Sequence, residues 1–225
     1  MSEIGIRFTH FAEFAWGTLE PEEGIYDFEW LDRAVALAGK YGLKVIMCTP
    51  SPTPPVWLSK KYPDILIRRD NGVNIQHGRR QHASWSSERY CDFVKNIVTK
   101  LAERYGKNPT VIGWQIDNEP GHYGLVDYSE NAQQKFRLWL RRKYKTIDQL
   151  NATWGNTFWS ESYQHFDQIR LPNQQELPEK PNPHAMLDMN RFMADELAGF
   201  VNMQADVLHK NISEKQWITT NLIPV

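Results

Sequence analysis

Apolar positions along the chain follow two periods, and their alternation outlines the elements. From Ile4 to Phe14 the pattern begins by alternating, with Ile4, Ile6 and Phe8 on one face, as in a half-buried strand. "FEWLDRAVALAGKYG" changes period: Trp30, Leu31, Ala34, Val35 and Ala38 recur at helical spacing, and Gly42 supplies a stop. "LKVIMCT", Leu43 to Thr49, is a continuous apolar run of the fully buried strand type. The prolines of "SPTPPVWL" lack the N–H that a ladder needs, so a loop starts there. Residues Tyr62 to Ser87, with a turn signal at Asn71-Gly72, read as one extended loop. Beyond Tyr90, a stripe of Phe93, Val94, Ile97, Val98, Leu101, Ala102 and Tyr105 marks a long helix, and "TVIGWQID" a third strand. "SENAQQKFRLWLRRKYK" is a helix capped near Ser129. "TIDQLNATWGNTFWS" reads as a compact connection, followed by an irregular stretch punctuated by Pro172, Pro181 and Pro183. A long helix from Leu187 carries Phe192, Leu197, Phe200, Val201 and Leu208, and Trp217 to Asn221 forms a fourth strand.

Strand, loop, helix, strand is the grammar of βαβ units in a parallel sheet. Polar and aromatic residues follow the strand ends: Glu13, Trp16, Trp57, Asn118, Glu119 and Asn221. Such positions form the functional face of a (β/α)8 barrel. A doubly wound sheet also binds there, but no glycine-rich phosphate loop follows the first strand. The expected fold is α/β, a (β/α)8 barrel, with residues 1–225 forming part of one domain, since four strands are present where closure requires eight.

The charge is nearly balanced, with 26 Lys plus Arg against 27 Asp plus Glu, which gives no basis for a nucleic-acid or anionic-membrane partner. Cys48 and Cys91 are the only cysteines and form no CxxC pair, which excludes a disulfide framework. No apolar stretch approaches the roughly 20 residues that span a bilayer, and the first residues lack the apolar centre of a signal peptide, so the cytoplasm is the expected location. The 9 Trp, 9 Tyr and 10 Phe suit a packed core, and they also suit stacking on sugar faces.

Chemistry concentrates in "VIGWQIDNEPGHYG", where a buried run ends in Asp117, Asn118 and Glu119. A partly buried carboxyl at a strand tip can hold a proton for donation, as glycosidic bond cleavage requires. A neighbouring amide suits a sugar 2-hydroxyl. The alternative is a strand-ending turn, since Asp and Asn favour turns.

The "NEP" motif resembles the acid/base signature of retaining glycoside hydrolases on (β/α)8 barrels. The stretches "FAEFAWGTLEPEEGIYDFEWLDRA", "GLKVIMCTPSPTPPVWL", "KYPDIL", "GRR", "LAERYGKNPTVIGWQIDNEPGHYG", "FRLWLRRKY", "LNATWGNTFWS" and "TTN" resemble, in order, the family 42 β-galactosidases. The resemblance implies Glu119 as the general acid/base, Asn118 as a substrate-binding amide, and Arg79 of "GRR" as an arginine that contacts the sugar. It also implies Trp159 as a ring near the sugar subsite. On the residues alone, Arg79 also reads as a solvated loop charge, and Trp159 as a core ring. Glu13 and Trp16 are expected to be structural, Glu13 as a hydrogen-bonded carboxylate behind the site.

The implied activity is retaining hydrolysis of terminal β-D-galactosyl residues in a galactoside or oligosaccharide. The alternatives are an α-L-arabinopyranosidase, another retaining barrel glycosidase, or a non-catalytic sugar-binding piece. No cofactor is implied. Many family members bind zinc through one cysteine after the "RR" loop and three after the acid/base motif. Here "RRQHASWSS" and "YGLVDYSENAQQKF" contain none, so no metal site is expected. His77, His82 and His122 lack the i, i+4 spacing of a zinc motif. Family members often form trimers, which makes a homo-oligomer an open expectation. By the resemblance, the chain matches strands two to five of the barrel and the nucleophilic glutamate lies beyond Val225. The 225-residue piece alone is therefore expected to be inactive.

Overall fold

The computed structural model describes residues 2–121, 124–173, 175 and 180–222, without the side chains of Ser2 and Trp159. Four parallel strands, β1 (Phe8–Phe11), β2 (Lys44–Cys48), β3 (Val111–Gln115) and β4 (Trp217–Thr219), form one sheet in chain order. Helices α1 (Trp16–Leu19) and α2 (Glu29–Lys40) connect β1 to β2. Helices α3 (Val56–Lys61) and α4 (Glu88–Tyr105) connect β2 to β3, and α5 (Glu130–Tyr144), α6 (Ile147–Trp154) and α7 (Pro183–Asn211) connect β3 to β4.

The central strands β2 and β3 are buried on both faces, as their unbroken apolar runs require. Between them the register shifts at Val45/Ile46, where Val45 pairs with Val111 but Ile46 with Gly113. Gly113 pairs with Trp217 and accepts its indole at close range: a Cβ at position 113 would stand 2.3 Å from Trp217 Cδ2. Outside the sheet, α4 packs along α7, with Tyr90, Val94, Ile97 and Leu101 of α4 in the same core cluster as Phe200 and Leu208 of α7. Each such aliphatic or aromatic side chain stabilises the fold by about 1.5–3 kcal/mol relative to exposure. The rings of Tyr90 and Phe200 stack at 5.6 Å.

The β3–β4 crossover carries its own apolar cluster, built from Phe136 and Leu140 of α5, Leu150 and Trp154 of α6, and Met189 and Phe192 of α7. Buried Asp188 lies at its polar centre, accepting from Tyr144 Oη at 2.5 Å and Trp154 Nε1 at 3.1 Å and pairing with Lys143. Helix α7 therefore joins two cores, its first half packing in the crossover and its second half against the sheet.

Three expectations need correction. The alternation from Ile4 does not make a strand: residues Ser2–Ile4 form a 3-10 turn, β1 starts at Phe8, and Ile4 and Phe8 stay exposed. β1 is an edge strand, and its burial alternates between exposed and partly buried residues. The connection after Lys145 contains a true helix, α6, because Thr146 caps its start through Gln149 N and Gly155 ends it with φ +69°. Finally, α7 begins at Pro183 rather than Leu187. Proline suits a first helical turn, and the Asn182 side chain accepts from His184 N and Ala185 N.

Candidate active site

The C-terminal ends of the four strands converge on residues 117–119. After β3, Asp117 and Glu119 adopt φ of +55° and +49°, and Gln81 of the facing loop adopts +59°. Left-handed backbone at three non-glycine residues is strained and persists where surrounding contacts fix it. Those contacts are present. Asp117 N donates to Thr49 Oγ1 at 2.8 Å, Glu119 N donates to Asn221 Oδ1 at 3.0 Å, and Gln81 Nε2 donates to the carbonyls of Asn118 and Glu119 at 2.8 and 2.7 Å.

Asp117 is fully buried and points behind the strand tips. Its carboxylate accepts from Ser51 Oγ at 2.5 Å and Asn118 N at 2.8 Å. Burial pushes its pKa up to about 6, against the lowering effect of the Ser51 and Asn118 bonds. Gln204 of α7 extends this buried network by accepting from Thr49 Oγ1 at 2.7 Å and Ser51 Oγ at 3.3 Å. Tyr90 Oη closes it on the Ser51 carbonyl at 2.6 Å.

Asn118 and Glu119 face the other way. One end of the Asn118 amide lies 2.7 Å from Glu13 Oε1 and 2.8 Å from Asn221 Nδ2, and its other end 2.5 Å from Arg80 Nη1. Donating to the Glu13 carboxylate and accepting from the Arg80 guanidinium satisfies two charged partners; the reversed amide satisfies Asn221 alone. Charge-assisted bonds are the stronger, so the first orientation holds. Glu13 Oε1 also accepts from Gln115 Nε2 at 3.0 Å. Glu119 Oε2 lies 2.8 Å from Arg80 Nη1 as a close ion pair without hydrogen-bond alignment, and the Glu119 side chain remains 14% exposed. Asp117 and Asn118 are buried beside it, which leaves Glu119 as the carboxyl of "DNE" that a ligand can reach.

Among the residues singled out in the sequence, Asn118, Glu119, Glu13 and Asn221 are brought together. Trp16 and Trp57 are structural: their indoles donate to Glu20 Oε2 at 2.7 Å and the Glu20 carbonyl at 2.8 Å. Arg79 is exposed on the loop before Arg80 and lines a cleft that Arg80 and Gln81 also line. Trp159 falls in a 3-10 turn, Phe158–Ser160, and its side chain lies outside the described residues, as does His122. Arg80, Gln81, Thr49 and Ser51 are site residues that the sequence reading missed. Nothing in "GRRQH" distinguishes the arginine that meets Glu119 from its neighbour.

The segments where family members carry zinc-binding cysteines meet here around a carboxylate. Buried Asp127 accepts from Ser129 N at 2.8 Å, Ser129 Oγ at 2.9 Å and Arg68 N at 3.3 Å, with the Ser84 hydroxyl beside it. Burial pushes its pKa up, and these bonds hold it down. One carboxylate among hydroxyls and amides does not fit a tetrahedral zinc, and no group of three or more His, Cys, Asp or Glu suited to a metal occurs among the described residues. Nor is any described helix long and apolar enough to cross a membrane.

A family model described as beta-galactosidase, for glycoside hydrolase family 42, matches residues 1–225. Beta-galactosidase BgaA from Thermus sp is 41% identical over 224 residues, 99% of this chain and 34% of its own length. Beta-galactosidase Bga from Halorubrum lacusprofundi is 38% identical over 222 residues, 98% of this chain and 31% of its own. The crystal structure of beta-galactosidase from the psychrophilic Marinomonas ef1 matches with a TM-score of 0.94 at 39% identity, covering 99% of this chain and 34% of that one. The chain spans about a third of the length of these relatives, and its four strands with their helices are part of a (β/α)8 barrel.

Proposed function

Because the chain belongs to glycoside hydrolase family 42, we propose that it supplies the acid/base half of a retaining β-galactosidase site. One observation carries this reading: at the end of β3, Glu119 is the accessible carboxyl of an otherwise buried acidic strand end, and Asn118 beside it is held by Glu13 and Arg80. In this reading Glu119 donates a proton to the leaving glycosidic oxygen, then accepts one from the water that releases the sugar. Arg80 gives the carboxylate formed between these steps a partner. Asn118 addresses the sugar 2-hydroxyl, where a hydrogen bond tightens as positive charge develops on the ring. Arg79 and Trp159 are proposed sugar contacts, and the nucleophilic glutamate is proposed to come from a strand outside the chain.

The test is Glu119→Gln in the full-length protein. Hydrolysis of lactose, whose leaving group needs protonation, should slow by about 10²–10⁴-fold. A nitrophenyl galactoside, whose leaving group does not, should lose less at the first step and recover in part with azide. Lactose hydrolysis near the wild-type rate would remove Glu119 from this role.

A further inference from the structure

The turn at residues 117–119 is held by a side chain whose own placement is costly. Gln81 is buried and, at φ +59°, left-handed without being glycine. Its Nε2 donates to the carbonyls of Asn118 and Glu119 at 2.8 and 2.7 Å. Its Oε1 is buried without a hydrogen-bond partner among the described residues. A buried, unpaired amide oxygen opposes folding, as strained backbone does. Only the donor half of the amide is in use, and both of its protons go to consecutive carbonyls.

The same residue is anchored in the loop that carries Arg80. Gln81 N donates to the Pro52 carbonyl at 2.6 Å, in the loop after β2, and Ile67 N donates to the His82 carbonyl at 3.0 Å. The chain bends between Arg79 and His82, and the His82 imidazole closes the bend, its Nδ1 lying 2.8 Å from the Arg79 carbonyl. A carbonyl can only accept, so the proton sits on Nδ1. Arg80 and Gln81 are the two residues inside that bend. Arg80 Nη1 meets the Glu119 carboxyl at 2.8 Å, and Gln81 takes the backbone of the residue that bears it. A shift of either segment would therefore change where the Glu119 carboxyl stands.

A glutamine that satisfies two buried carbonyls would also serve a fold with no chemistry at this turn. What argues for placement is whose carbonyls they are, those of Asn118 and Glu119, and that Gln81 follows directly the arginine that Glu119 faces. Resting on the glycosidase reading, we propose that Gln81 is a positioning residue for proton transfer: through the backbone of residues 118 and 119 it holds the Glu119 carboxyl where the leaving glycosidic oxygen arrives.

The test is Gln81→Met in the full-length protein, a side chain of similar length with no donor. The readout is the ratio of kcat/KM for lactose, whose leaving group needs protonation, to kcat/KM for nitrophenyl β-galactoside, whose leaving group does not. That ratio should fall by about 10- to 100-fold, since a misplacement of about 1 Å at a reacting group costs up to about 10²-fold. Both substrates share the galactosyl ring and the ratio is taken within one protein, so general damage cancels. In a Glu119→Gln background the same change should move the ratio by no more than about twofold, because two substitutions that act through one group do not add. An unchanged ratio in Gln81→Met, or an equal fall in both backgrounds, overturns the proposal. If Gln81→Met does not fold, Gln81→Glu takes its place with the same outcomes: it keeps the shape and sets an oxygen against the two carbonyls. If Glu119→Gln itself hydrolyses lactose near the wild-type rate, the acid/base reading fails separately, and crystal structures of wild type and Gln81→Met decide the clamp alone. A Glu119 carboxyl displaced from Arg80 by about 1 Å or more supports it; a turn that stays in place overturns it.

Discussion

Asp117 provides a test of the buried network that is independent of any substrate. A carboxyl whose pKa is about 6 when folded and about 3.9 when unfolded binds its proton more tightly in the native state. At about 1.4 kcal/mol for each tenfold in proton affinity, ionising Asp117 costs the fold about 3 kcal/mol. The sign follows from linkage: between about pH 4 and pH 6 the native state holds more protons than the unfolded chain, so this group's contribution falls as pH rises through that window and is flat above it. Asp117→Asn removes the titration and keeps an amide oxygen for Asn118 N, now 2.8 Å from the carboxylate. The Ser51 hydroxyl can turn to Gln204 Oε1, already 3.3 Å away. The variant should therefore gain on the wild type as pH rises. A domain of 150–250 residues shifts its midpoint by about 2–4 °C per kcal/mol, so the gap in Tm should widen by about 6–12 °C between pH 4 and pH 7, and by less where a larger barrel unfolds as one unit. Scanning calorimetry of the full-length wild type and variant across that range measures it. A gap that is independent of pH, or that narrows as pH rises, would refute the reasoning.

Three other outcomes follow from the same geometry. Asp127→Ala should destabilise by about 2–4 kcal/mol, because it orphans donors from two loops, and hydrogen exchange should quicken at the amides of Arg68 and Ser129, which both donate to that carboxylate. Elemental analysis of protein purified without chelator should find zinc below stoichiometry, and a chelator should leave Tm unchanged; one tight zinc per chain would contradict the reading of the Asp127 knot. The isolated 225-residue chain should not hydrolyse nitrophenyl β-galactoside, since retaining hydrolysis needs two carboxyls about 5–5.5 Å apart across the scissile bond. Turnover by that piece, abolished by Glu13→Gln, would show that Glu13 is a nucleophile rather than a support for Asn118.

The sheet order and the long helices were legible because burial imposes its period on the sequence. Val94, Ile97, Val98 and Leu101 had to face one core, and they do. The first strand misled because Ile4, Ile6 and Phe8 alternate as a strand face would, while all three stay exposed, Ile4 and Phe8 by more than half. Helix α6 was hidden because its eight residues carry few apolar positions and end at Trp154-Gly155, although its boundaries were written in Thr146 and Gly155. At the site, Glu119 and Asn118 were legible through the motif and the resemblance together. Arg80 was not: consecutive arginines on an irregular loop point in directions set by backbone geometry, here the turn that continues into Gln81 at φ +59°. Thr49 and Ser51 were missed for a related reason, since a hydroxyl at a strand end or in a proline-rich loop shows its importance only through the buried partner it meets.

Each strand end of the sheet supports the turn at residues 117–119, three of them directly and that of β3 through Glu13. Glu13, just after β1, takes the Asn118 amide; Thr49, after β2, takes Asp117 N; Gln115, at the end of β3, donates to Glu13; and Asn221, after β4, takes Glu119 N. Parallel strands make this convergence possible because all of their C-terminal ends lie on one side of the sheet. The left-handed backbone at Asp117 and Glu119 is then a consequence of the supports: it turns the Asp117 carboxyl back into the buried network and leaves the Glu119 side chain partly exposed, with Oε2 buried against Arg80. Substitutions at Glu13 or Asn221 should therefore act through the placement of Asn118 and Glu119, even though the strand tips that carry them lie at opposite edges of the sheet.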